Sequence, residues 1–146
     1  MLKNLDPLLT PRLLAALAEM GHGDTIAIVD RNFPAHAHGA RVIDLPGVDA
    51  TRAVRAVLSV LPVDTFETPA AFHMLPVTGP KEGPAFGEFQ ALLNEAESRE
   101  VEVGGLERFA FYRRTQEAYC VVATSDTRPY ACFLIVKGVI TAADGV

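Results

Sequence analysis

The sequence predicts a three-layer α/β/α fold on a mixed, largely parallel sheet, with residues 1–146 forming one domain. Two features carry this expectation. Short β-branched apolar runs alternate with amphipathic helical stretches along the chain, the pattern of an α/β domain. The run Thr25-Ile-Ala-Ile-Val-Asp30 is apolar at successive positions, as in a strand covered on both faces. The length of 146 residues also fits one domain of about 100–200 residues.

Thr10-Pro11 reads as a helix start, with Thr as N-cap and Pro at the first helical position, where its missing N–H costs nothing. Leu13, Leu14, Leu17 and Met20 form one stripe of that helix, and Gly21 suits the position just past its end. The Thr25–Asp30 strand follows, and then Arg31–Ala40, whose Pro, Gly and His residues read as a loop. Val42-Ile43 is a short strand. Asp49 is placed to cap a helix running to Leu61, with Pro62 ending it. Phe72–Val77 reads as a strand before the turn Thr78-Gly79-Pro80. Phe86, Phe89, Leu92, Leu93 and Ala96 mark a further amphipathic helix. Val101–Val103 is a short strand, Arg108–Glu117 a helix, and Tyr119–Thr124 and Tyr130–Val136 the last two strands.

Composition excludes several function classes. Hydrophobic residues are 49% and charged residues 21% of the chain, which is globular rather than disordered. A net charge of −5 is the wrong sign for a nucleic-acid partner. No apolar run reaches the roughly 20 residues of a membrane span, and the N-terminus lacks the basic and apolar regions of a signal peptide. The two cysteines, Cys120 and Cys132, lie in apolar stretches and read as core residues, so a cytoplasmic location is expected. No G-x-S-x-G, P-loop or G-x-G-x-x-G segment occurs, which removes the usual support for acyl transfer, phosphoryl transfer and dinucleotide binding.

Four segments carry polar groups suited to chemistry. His22 stands between Gly21 and Gly23 just beyond a helix. A histidine there is accessible and titrates near neutrality, so it can move protons or else cap the helix carbonyls. Asp30 ends a strand, where ligands of open α/β sheets gather; its carboxylate can bind sugar hydroxyls or brace its own loop. Arg108 precedes Phe109-Ala-Phe-Tyr112, pairing fixed donors with aromatic faces able to stack on a sugar ring. Tyr130 begins a strand beside a turn, with a hydroxyl free for a ligand or a carbonyl. His36 and His38 form an H-x-H pair, which lacks the further ligands a metal site needs, so no metal is expected.

Taken together, these segments resemble the ribose pyranase / L-fucose mutarotase family (RbsD/FucU). The resemblance rests on Leu17-Ala-Glu-Met-Gly-His22-Gly-Asp24, on Asp30 with Phe33-Pro-Ala-His36, on Arg108-Phe-Ala-Phe-Tyr112, and on Thr124…Tyr130 with Lys137-Gly-Val139. It implies a cofactor-free sugar isomerase, commonly a decamer of two stacked pentameric rings. His22 matches the family's proton donor. Asp30, Arg108, Tyr130, Ala131 and Cys132 match its sugar-binding positions, with His36 and Tyr112 as additional candidates. Arg108 and the aromatic run after it look like the fucose branch, which implies an L-fucose mutarotase. A ribose pyranase and a non-catalytic monosaccharide-binding accessory of sugar uptake are the alternatives. The chain departs from the pattern at Cys132, where the family commonly has Asn, and at Thr124-Ser125-Asp126, where it tends to have Thr-Gly-Glu.

Spacing sets a condition on such a site. Five strand steps of about 3.3 Å separate Thr25 from Asp30 by roughly 16 Å, too far for one monosaccharide to touch both His22 and Asp30. Either the Gly21–Asp24 loop folds back along the sheet, or neighbouring subunits complete each other's sites.

Overall fold

The computed structural model describes residues 2–146. Six strands form one sheet in the order β2-β5-β1-β6-β3-β4, comprising β1 (Thr25–Val29), β2 (Val42–Leu45), β3 (Ala71–Met74), β4 (Val103–Leu106), β5 (Cys120–Thr124) and β6 (Phe133–Val136). The pairs β2–β5, β5–β1 and β3–β4 are parallel, whereas β6 runs antiparallel to both β1 and β3. The sheet is therefore mixed and largely parallel, as expected. Among the described residues no helix is long and apolar enough to cross a membrane.

Five α-helices cover the sheet: α1 (Pro11–Glu19), α2 (Ala35–His38), α3 (Ala50–Leu58), α4 (Phe86–Glu97) and α5 (Arg108–Glu117). Leu13 and Leu17 of α1, Val54 and Val57 of α3, and Phe89 and Leu93 of α4 pack with Ile26, Ile28, Val122, Phe133 and Ile135 on one face. On the other, Ala35 of α2 and Phe111 of α5 pack with Ala27, Val29, Val121 and Leu134. Successive strand residues thus feed opposite cores, which explains why these strands are apolar throughout.

Local chemistry follows the sequence at several ends. Thr10 caps α1 by accepting from Leu13 N–H at 3.3 Å, with Pro11 next. The cap of α3 differs from expectation. Asp49 occupies the cap position without a side-chain bond, and Ala50 N–H instead donates to Asp126 Oδ2 at 2.9 Å. A carboxylate from the β5–β6 connection therefore serves the helix N-terminus, where negative charge is favoured.

Five elements also differ from expectation. The Arg31–Ala40 segment contains the one-turn helix α2 rather than only loop. Helix α3 stops at Leu58, short of Leu61. Strand β3 begins at Ala71 and ends at Met74. Strand β4 begins at Val103 and continues through Gly104-Gly105, because both glycines sit under large side chains. A Cβ on Gly104 would lie 2.9 Å from Phe72, and one on Gly105 2.6 Å from Leu75. Tyr130 is excluded from β6 because its φ of 61° is left-handed, a turn conformation.

After β6, Gly138 lies against the backbone that leads from α3 into β3. A Cβ there would stand 2.8 Å from Val63 O and 2.9 Å from Asp64 Cα, and Gly138 N–H donates to Pro62 O at 2.9 Å. Gly138→Ala is expected to destabilise the fold by about 1–3 kcal/mol through overpacking. Calorimetry should record a Tm lower by several degrees, at roughly 2–4 °C per kcal/mol.

Candidate functional site

Because β6 is reversed, the chain enters it at the edge where β1, β3 and β4 leave the sheet. Asp30 follows β1, Met74 ends β3, Arg108 follows β4, and Tyr130 and Cys132 precede β6. These residues, with Asn32, Phe33, Tyr112 and Pro129, line a cleft of about 230 Å³. The position agrees with the general location of ligands outside the carboxyl ends of strands. A larger apolar groove of about 370 Å³ lies between Leu14, Leu17, Val60 and Ile140. Its one charged group, Lys137, is occupied by backbone carbonyls, whereas the smaller cleft gathers a carboxylate, a guanidinium and a phenol.

Asp30 braces its own loop and turns its second oxygen toward the cleft. Its Oδ1 accepts from Asn32 N–H at 2.9 Å and Phe33 N–H at 3.1 Å, bracing the loop. Its Oδ2 accepts only the Cys132 thiol, at 3.4 Å. Burial raises the Asp30 carboxyl above the usual aspartate range, the hydrogen bonds oppose the rise, and the charge of Asp126 adds to it.

Arg108 extends over the Phe109 ring, 4.6 Å from its centroid. Tyr130 accepts a hydrogen bond from Val77 N–H at 3.3 Å through its hydroxyl oxygen, which leaves the O–H free to donate. Phe33 and Tyr112 meet edge to face at 5.2 Å and form an aromatic wall.

Three residues expected from the sequence, Ala131, His36 and His22, fall outside this lining. Ala131 turns its side chain into the opposite core, so only its main chain can face a ligand. His36 is exposed and its Nε2 pairs with Asp44 at 3.0 Å, while His38 stacks on Tyr112 at 4.8 Å. Among the described residues no group of three or more His, Cys, Asp or Glu is arranged to hold a metal ion.

His22 lies at the other edge of the sheet. The Gly21–Asp24 loop is tied there by Gly23 N–H to Lys137 O at 2.9 Å, Lys137 N–H to Asp24 O at 2.8 Å and Gly21 N–H to Asp24 Oδ2 at 2.7 Å. It does not fold back toward Asp30. His22 also does not cap α1, because Lys137 Nζ donates to Leu17 O and Met20 O. The imidazole is left 43% exposed, with Nε2 donating to Asp64 Oδ1 at 3.0 Å. That bond assigns the Nε2–H form and leaves Nδ1 unprotonated in the neutral ring.

Asp64 was not singled out by the sequence, since an aspartate after Val63 carries no distinctive spacing. It is 2% exposed. Burial alone raises its carboxyl, but bonds from Phe66 N–H, His22 and Glu67 N–H outweigh this and hold it below the usual aspartate range. The exposed Phe66 ring, 5.0 Å from the imidazole, forms a second wall.

Comparison with known proteins decides the family. Residues 3–140 match the RbsD / FucU transport protein family. The chain belongs to that family. It is 39% identical to the fucose mutarotase of Homo sapiens, over 95% of this chain and 94% of that protein. The fucose mutarotase of Streptococcus pneumoniae, solved in complex with L-fucose, superposes with a TM-score of 0.90 at 30% identity, covering 96% of this chain and 100% of that one. FucU from Bifidobacterium longum superposes at 0.89 with 37% identity, covering 94% and 99%. The resemblance read from His22, Asp30 and Arg108 and their neighbours is thereby borne out.

Asp64→Ala removes the acceptor for two backbone N–H groups and the imidazole. It is expected to cost about 1–3 kcal/mol at pH 7. Because the native carboxyl is held low, that contribution is present above about pH 4 and is lost as pH falls through the depressed native value. Urea unfolding of both proteins from pH 7 to pH 3 should show the difference shrinking in acid.

Proposed function

We propose that the protein is an L-fucose mutarotase, which interconverts the α and β anomers of the free sugar without a cofactor. The observation that carries this reading is the convergence of Asp30, Arg108 and Tyr130 on one aromatic-walled cleft. Membership of the family and the similarity to fucose mutarotases support it.

Mutarotation opens the hemiacetal to an aldehyde and recloses it on the other face. Opening delivers a proton to the ring oxygen and removes one from the anomeric hydroxyl, and closure reverses both transfers. His22 carries the proton: unprotonated Nδ1 accepts it, and the imidazolium, held by Asp64, returns it. Asp30 accepts hydrogen bonds from sugar hydroxyls, Arg108 and Tyr130 donate to sugar oxygens, and Phe33 and Tyr112 cover the apolar side of the ring. The main chain at Ala131 is placed to contribute a further polar contact.

His22 and Asp30 of one chain flank opposite ends of β1, about 16 Å apart along the strand. The working site therefore joins the His22 edge of one subunit to the Asp30 cleft of another. Exposed Phe66, Val139 and Ile140 supply apolar surface at the His22 edge for such a contact. A decamer of two pentameric rings is the assembly we favour, in the cytoplasm, where the free thiols of Cys120 and Cys132 stay reduced.

NMR exchange spectroscopy on L-fucose and D-ribose tests the reading. Faster anomer exchange of L-fucose is the expected result. Exchange of ribose alone would make the protein a pyranase, and binding without exchange would make it an accessory of uptake. His22→Ala should slow exchange about 10²–10⁴-fold, the usual contribution of a positioned acid–base group.

Mixing His22→Ala with Asp30→Ala subunits should restore part of the activity lost in each alone. Intact sites would then pair the unmutated edges of two chains. A fully active monomer, established by sedimentation, would exclude the shared site.

A further inference from the structure

Two buried side chains meet at the floor of the cleft. Asp30 is 8% exposed and Cys132 1%. The two oxygens of the Asp30 carboxyl are treated unequally, with Oδ1 taking two backbone N–H groups and Oδ2 only the thiol. A thiol is a weak donor with a single proton, and here that proton is directed at Asp30.

Other charged and titratable groups approach from each element around the cleft. Asp126 comes from the β5–β6 connection, Arg108 and Tyr112 from α5, and Tyr130 from the turn before β6, while β3 contributes only Met74. The histidines of α2 are turned away, His36 to Asp44 and His38 to Tyr112 and Gln116.

We propose that Cys132 is a positioning residue for Asp30: its thiol fixes the rotation of the carboxyl group and, as a weak donor, leaves Oδ2 open to a sugar hydroxyl. The inference rests on the cleft being the sugar site. It changes the role expected for Cys132 from a direct sugar ligand to a group that acts through Asp30. The thiol keeps its proton through neutral pH, since burial and the neighbouring Asp30 charge push it well above the ordinary cysteine value.

The consequence is a pH signature. The Asp30 carboxyl is raised, mainly by burial, and the Cys132 bond is one of the contributions that oppose the rise. As pH falls, Asp30 is neutralised earlier than an ordinary aspartate, and sugar binding weakens when it can no longer accept from the sugar, whereas turnover also depends on His22. Cys132→Ala removes a donor, so the acid limb should move to higher pH. Cys132→Ser supplies a stronger O–H donor, so the limb should move to lower pH.

The test is the pH profile of L-fucose affinity from pH 4 to pH 8 for the wild-type protein and both variants. On the acid limb, at a given pH, affinity relative to wild type should fall about threefold in Cys132→Ala and rise about threefold in Cys132→Ser, a half-unit displacement either way. A purely structural cysteine would not displace the limb in opposite directions. Unchanged limbs, or limbs moving the same way, would overturn the proposal.

If Cys132→Ala does not fold, the serine variant against wild type decides alone: a shift to lower pH supports the role and no shift removes it. A ¹³C titration of the Asp30 carboxyl in the same proteins reads the displacement without turnover. If the wild-type protein fails to accelerate exchange, this titration tests the Cys132–Asp30 coupling separately from the proposed activity.

Discussion

Antiparallel pairing of β6 with both β1 and β3 is the constraint on which the site depends. The register Thr25↔Val136 to Ile28↔Phe133 fixes which residues of the β5–β6 connection arrive beside Asp30. With β6 parallel, Tyr130 and Cys132 would lie at the His22 edge and Lys137 at the cleft. The connection is held in turn by Asp126 and Arg128. Asp126 accepts from Ala50 N–H and from the Arg128 side chain, and its carbonyl accepts from Arg31 N–H at 3.2 Å. Arg128 also reaches Glu88 of α4 and Thr51 of α3. One ion-paired turn thus ties two helices of one layer, α3 and α4, to the loops carrying Asp30 and Tyr130. Side chains that must meet a ligand to within a few tenths of an ångström need this kind of support.

The opposite edge is organised by Lys137 and Asp64. Lys137 satisfies carbonyls at the C-terminus of α1, a favoured place for a cation, and its own peptide fastens the loop that presents His22. Asp64 fixes the imidazole from the other side. The two glycines flanking His22 remove neighbouring side chains, so one face of the ring stays open while its back is hydrogen-bonded. This combination of exposure and fixed tautomer is what a proton carrier needs.

The fold class was legible because strands buried on both faces leave unbroken apolar runs, and the three-layer arrangement is the way to bury them. Helices capped locally, such as α1 with Thr10, were legible for the same reason: the chemistry lies within four residues. What the sequence hid is non-local. The carboxylate at the start of α3 comes from Asp126, and the partner of His22 comes from Asp64. The β4 glycines are required by Phe72 and Leu75, which are remote in sequence, so the strand expected to end at Val103 runs on through them. Of the site, Asp30, Arg108 and Tyr130 were legible because each sits at a strand exit, a helix start or a turn, and Tyr112 because it belongs to the aromatic run after Arg108. Cys132 was legible by position but not by role, since nothing local shows that its proton points at Asp30. The separation of His22 from Asp30 follows from strand geometry alone, although only the tied Gly21–Asp24 loop excludes a fold-back.

Two buried aspartates, shifted in opposite directions, divide the chemistry between the two edges. Asp64 receives two backbone N–H groups and an imidazole N–H across both oxygens, enough to overcome desolvation and keep it a fixed anion. Asp30 has strong donors on one oxygen only and a weak thiol on the other, while burial and the charge of Asp126 oppose its ionisation. One carboxyl is therefore held below the ordinary aspartate range and the other above it, the difference lying in the donors each receives and in the stronger desolvation of Asp30. A permanent anion suits the back of a histidine that must accept and return a proton. An oxygen left short of donors suits the recognition of sugar hydroxyls, which supply the missing hydrogen bonds on binding. In one chain these two environments occupy opposite ends of the same strand, so under the proposed mechanism proton transfer and recognition are separated within a chain and their union falls to the contact between chains.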